Sequence, residues 1–110
     1  MNNIYTITAI EDEHSKVSRC VGWFDNYEDA KKNTLENARD FSECGGYKYA
    51  VIEKVGSGVF PFCNSEDQSW FKVVEETGAV GEIINIKYEE LKEIPEGFRG
   101  YSNFSIGWFE

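Results

Sequence analysis

The chain is short of reactive and basic side chains. Of 110 residues one is histidine and three are cysteine, and 11 basic residues face 20 acidic ones. Cys20, Cys44 and Cys63 are odd in number, widely spaced and free of any C-x-x-C pair, which argues against a disulfide framework and against a zinc site. They read as reduced thiols filling core space as small apolar residues. His14 lies between Glu13 and Ser15 in an expected turn, where nothing local orients it. A Ser-His-Asp or Cys-His mechanism would have to use it, so a small enzyme built on His14 or Cys44 stands as an alternative beside a solvent-exposed turn histidine. No stretch approaches the roughly 18 apolar residues that span a bilayer, and the opening Met1-Asn2-Asn3-Ile4-Tyr5-Thr6 lacks the basic region and apolar run of a signal peptide. The expectation is a soluble protein of the cytoplasm. A net charge of −9 and a pI near 4.6 oppose contact with phosphate backbones or anionic lipid, so neither direct nucleic-acid binding nor membrane association is expected. Gly56-Ser57-Gly58 is followed by Val59-Phe60-Pro61 and no helix start, unlike a phosphate-binding loop; no cofactor or metal is expected.

What the chain does have is apolar material: 41% hydrophobic and 15% aromatic residues support one core and one domain over residues 1–110. Residues 3–10 and 16–24 are rich in β-branched and aromatic types and read as a hairpin across the polar stretch 11–15. Asn26 is placed to cap a helix whose first turn holds Glu28 and Asp29, with Asp29 as a shortened capping-box acid. That helix is expected from Tyr27 to Phe41, closed by a left-handed Gly45 or Gly46. Residues 47–55 form the strongest strand pattern. Residues 69–75 and 82–88 read as two more strands around a turn with Gly78 and Gly81, while Val59-Phe60-Pro61-Phe62 suits an edge or lid. Glu89-Glu90-Leu91-Lys92 allows one helical turn, and the aromatic tail is expected to dock on the domain. The fold class is therefore α+β: a mainly antiparallel sheet of four to five strands, one principal helix on one face, in ββαβββ order.

Within the expected helix, Tyr27, Ala30, Thr34, Ala38 and Phe41 share one stripe that needs a sheet beneath it. Asp29, Glu36, Asp40 and Glu43 fall on the other side, in a row of about 21 Å at the 1.5 Å rise per residue. With Glu11 and Asp12 nearby, such a row can meet the basic site of a partner protein, in the manner of a nucleic-acid mimic. The bland reading is a solvated helix face. Paired acids such as Glu75-Glu76 point to opposite faces of a strand and offer no catalytic spacing.

The aromatic residues allow another reading. Trp70, Phe60, Tyr101 and Trp108 could stack on the base of a small nucleotide, with Arg99 on its phosphate; Arg19 and Arg39 are the other arginines. Such a protein would sequester a nucleotide signal. The competing assignment for these rings is ordinary core.

Val21-Gly22-Trp23-Phe24, Tyr27-Glu28-Asp29-Ala30, Asn37, Asp40, Glu43, Gly45-Gly46-Tyr47 and Tyr49-Ala50-Val51-Ile52-Glu53, followed by Gly58-Val59-Phe60-Pro61, resemble a family of small bacteriophage and prophage proteins. The resemblance spans roughly residues 3–75, with an echo in Asn103-Phe104-Ser105-Ile106-Gly107, and departs at Gly46, Lys48 and the acidic C-terminal third. It carries over no catalytic residue. It implies an accessory protein that binds a host component, commonly one of antiviral defence, in the bacterial cytoplasm. The expected activity is thus non-enzymatic inhibition of a host protein through the acidic residues; the oligomeric state is open.

Overall fold

β-Branched and aromatic stretches become strands throughout the described part of the chain. The computed structural model describes residues 3–11, 18–56, 67–76 and 79–87. Its elements are β1 (Ile4–Ile10), β2 (Ser18–Phe24), α1 (Tyr27–Leu35), a 3-10 turn (Ala38–Asp40), β3 (Tyr49–Val55), β4 (Gln68–Glu76) and β5 (Ala79–Ile86). They form one five-stranded sheet in the order β2-β1-β3-β4-β5, each neighbour antiparallel to the next. The fold is α+β with one helix on one face, in the expected ββαβββ order. No helix among the described residues is long and apolar enough to cross a membrane. The expected lid at 59–62, the helical turn at 89–92, the docking of the tail and Cys63 lie outside the described residues.

The strand period of two sorts residues onto the two faces. Ile7, Ala50, Ile52, Phe71, Val73 and Ile83 form a buried cluster with Ala30 of α1, and Tyr5, Phe24, Tyr27 and Phe41 pack around it. Tyr5 and Tyr27 meet edge-to-face with ring centroids 6.1 Å apart, a geometry worth about 0.5–1.5 kcal/mol beyond area burial, which anchors the first turn of α1 on β1. The face away from α1 is buried as well: Ile10, Val51 and Trp70 cluster there, beside fully buried Thr6, Thr8 and Glu53. Gln68 Nε2 donates to Glu53 Oε2 at 3.2 Å.

The helix starts where expected and stops early. Asn26 Oδ1 accepts the Asp29 backbone N–H at 2.8 Å, and Asn26 Nδ2 donates to Asp29 Oδ2 at 2.9 Å, so the acid supports the cap through the Asn26 side-chain amide and not through the backbone N–H of a capping box. α1 ends at Leu35, not Phe41. Asn33, Thr34 and Asn37 are weak helix formers, and Asn37 enters the left-handed region at φ 50°. Its amide supports that exit: Asn37 Oδ1 accepts the Ser42 N–H at 3.1 Å and Nδ2 donates to Asp40 Oδ1 at 3.1 Å. Short polar side chains that bond local backbone compete with helix in this way. Arg39, Asp40, Glu43 and Cys44 also have positive φ, as does Gly45 at 88°; Gly45 therefore serves a later turn and not the helix end. The stripe beneath survives, with Ala30 and Thr34 buried and Phe41 packed on the core.

The β4–β5 hairpin is tighter than expected. Ala79 already pairs with Glu76, so Gly81 lies inside β5 and not in the turn, next to an irregularity at Val74/Glu75. A Cβ on Gly81 would lie 2.5 Å from Glu76 Cγ, so a larger residue there would displace the exposed Glu76 side chain.

Candidate functional site

The expected acidic row does not exist as a row, because the helix that would have aligned it ends at Leu35, before Glu36, Asp40 and Glu43. Asp29 is exposed but occupied by the cap. Glu36 lies 3.4 Å from Lys32 at i,i+4 spacing, and Glu43 lies 3.6 Å from Arg19. Asp40 holds the turn after α1: its carboxylate accepts the Cys44 N–H at 3.1 Å and the Cys44 thiol at 3.4 Å, besides the Asn37 amide. The Cys44 backbone N–H, followed by the Asn37 amide and the thiol, holds the Asp40 carboxyl below its ordinary range. Glu11 is half-buried, and its carbonyl accepts the Lys48 N–H at 3.0 Å. Asp12 is outside the described residues. Among the described residues Asp25, Glu28 and Asp29 at the start of α1 are exposed carboxylates without an ion pair, and Asn26 Nδ2 donates to both Asp25 and Asp29.

The residues of the nucleotide reading separate too. Trp70 is 1% exposed and packs with Ile10 and Val51, so its ring is core and cannot stack on a ligand. Phe60, Tyr101, Trp108 and Arg99 lie outside the described residues. His14 does as well. Cys44 is exposed, contrary to the expectation of a buried thiol; its hydrogen bond to Asp40, and then the Asp40 charge, push the thiol up. Burial pushes Cys20 up. Neither shift favours the thiolate that a nucleophile requires. Among the described residues no three His, Cys, Asp or Glu side chains are grouped to hold a metal ion.

What the fold brings together instead is a groove along β2. β2 is the first strand of the sheet, and the β1–β2 register jumps between Ile7↔Gly22 and Thr8↔Cys20. Val21 is the extra residue of this bulge, and such bulges occur at sheet edges where a side chain is re-aimed. Val21 is 37% and Trp23 59% exposed. Between β2 and the turn after α1 lies a cavity of about 570 Å³ whose lining includes Ile7, Gly22, Phe24, Arg39 and Phe41. Gly22 forms an open part of its wall, since a Cβ there would meet nothing within 4 Å. Arg19 and Arg39 border the groove together with the carboxylates Asp40 and Glu43, so its charged lining is balanced. A hydrogen bond to the Tyr47 side chain, with the nearby Glu43 charge, keeps the Arg19 guanidinium charged above its ordinary range.

Sequence reasoning placed Val21–Phe24 in a strand and missed the groove. The available signal was Gly22 inside an apolar strand pattern, which marks a bulge or an open approach to the backbone. No family model, curated protein or solved structure matches the chain.

Proposed function

We propose that the protein is a non-enzymatic binding protein of phage origin that inhibits a host protein, a component of antiviral defence, by occupying a basic site on it. The observation that carries the reading is the exposed, unbridged group Asp25, Glu28 and Asp29 at the start of α1, on a chain of net charge −9. The thiols of Cys20 and Cys44, both pushed up, support occupation over covalent chemistry. The continuous phosphate-like stripe is no part of this reading. Asp29 is a poor position for a test, because charge reversal there also removes the carboxylate that supports the Asn26 cap.

The test is recovery of partner proteins on the tagged chain from bacterial lysate, with Asp25→Lys/Glu28→Lys as the probe. Exposed ion pairs are worth about 0.2–1 kcal/mol each, so losing two and adding repulsion should weaken binding roughly tenfold, and raised salt should act in the same direction as the Debye length shrinks. Recovery unaffected by both the double variant and salt overturns the reading.

A further inference from the structure

Residues with side chains stand in the left-handed region one after another beyond α1: Asn37 (φ 50°), Arg39 (54°), Asp40 (54°), Glu43 (52°) and Cys44 (58°). That region is strained for L-residues, least so for Asn and Asp, and such strain persists only where other interactions over-determine it. Two side chains of the segment itself supply them. Asn37 accepts the Ser42 N–H and donates to Asp40, while Asp40 accepts the Cys44 N–H and the Cys44 thiol. Packing adds little, since no residue of the 3-10 turn Ala38–Asp40 is buried. The same residues suit the helix they interrupt. Ala38 and Arg39 are strong helix formers, and Phe41 already has right-handed dihedrals, φ −62° and ψ −23°. Ala38 and Phe41 continue the helical spacing of Tyr27, Ala30 and Thr34. Asn37, Arg39 and Asp40 are therefore the residues that must leave the left-handed region for α1 to run on to Phe41.

We propose that residues 37–44 are a movable wall of the groove with two arrangements: the clamped left-handed turn, and a continuation of α1 that forms when Asn37 and Asp40 release each other and Cys44. In the turn, Arg39 and Asp40 line the groove beside Gly22 of β2. In the continued helix, at about 100° per residue, both face away from the sheet and the wall withdraws. A short 3-10 stretch within a helical pattern is a common form for such a hinge, and packed elements of this kind exchange between discrete arrangements on the μs–ms scale. The equilibrium sets access to Gly22 and to the apolar floor at Ile7. It involves neither Asp25 nor Glu28, so its test stands apart from partner recovery.

The test is NMR relaxation dispersion and Cα chemical shifts on the full chain and two variants that push the equilibrium in opposite directions. Arg39→Gly admits the left-handed conformation without strain and disfavours helix. Asn37→Ala/Asp40→Ala removes the clamp and supplies helix formers. The parent is expected to show exchange at residues 37–44 with a minor population of about 1–10%, and Gly22 and Arg19 across the groove should exchange at the same rate. Arg39→Gly should suppress that exchange and raise the melting temperature. The alanine variant should raise the minor population roughly tenfold, moving the Cα shifts of residues 37–40 to helical values and deepening the 222 nm circular dichroism. Arg39 is exposed and has no ion pair among the described residues, so Arg39→Gly decides the matter even where the alanine variant fails to fold. The proposal is overturned if the parent shows no exchange at residues 37–44, if Arg39→Gly leaves that exchange unchanged, if β2 stays silent while the turn exchanges, or if the alanine variant folds with Arg39 still left-handed.

Discussion

Thr34 sits on the buried stripe of α1 with no exposure to solvent, and its hydroxyl oxygen has no hydrogen-bond partner among the described residues. A hydroxyl buried without a partner costs about 1–3 kcal/mol, whereas its removal in favour of an apolar group of the same shape recovers that penalty. Thr34→Val makes that exchange: the side chain keeps its branching, and valine and threonine have nearly equal helix propensities. The expected gain is about 1–2 kcal/mol, which for a domain of this size raises the melting temperature by roughly 5–10 °C. Thr34→Ser is the control, since it keeps the hydroxyl and deletes the methyl; it should cost about 1 kcal/mol. Urea unfolding gives both values, with an unchanged slope showing that the unfolded state is not the source. A Thr34→Val protein no more stable than the parent would refute the reasoning, because it would mean that the hydroxyl is satisfied in solution.

Two further outcomes follow from the turn and the cap around α1. Asn26→Ala removes the acceptor of the 2.8 Å bond from the Asp29 N–H and should lower stability by about 1 kcal/mol, measured by urea midpoint; no loss would show that the cap contributes nothing. Asp40 has a carboxyl pKa held below its ordinary 3.8 by the Cys44 N–H, the Asn37 amide and the Cys44 thiol. The stability it contributes is complete above 3.8 and disappears as pH falls through the lowered value, so the urea midpoints of the parent and Asp40→Asn should differ at neutral pH and converge in acid. In the same variant Cys44, relieved of the hydrogen bond and charge that raise its pKa, should be alkylated faster at mildly alkaline pH, resolved by peptide mass spectrometry. An unchanged rate would remove Asp40 as the cause.

Much of the fold was legible because its signals are local. The β-branched density at 4–10 and 49–55, the Asn26–Asp29 cap and the stripe Tyr27, Ala30, Thr34 each depend on neighbours within a few residues, and each appears in the structure. The end of α1 was less legible. Ala38 and Phe41 continue the helical spacing, but the chain leaves the helix through a left-handed exit at Asn37 that periodicity cannot register, and Phe41 still packs on the core.

The site was hardly legible at all. Trp70 and Trp23 are both tryptophans in strands, and nothing local tells them apart; β4 lies inside the sheet and β2 at its edge, so one ring is 1% and the other 59% exposed. Arg19 and Arg39 are twenty positions apart and border one groove only because β1 pairs with β3 and leaves β2 outermost. The sequence by itself determined which segments are strand or helix and which faces are apolar, since those follow from side-chain shape and period. Tertiary structure alone decided which strand is the edge, which carboxylates are paired and where the arginines gather, because strand order depends on pairings between residues distant along the chain.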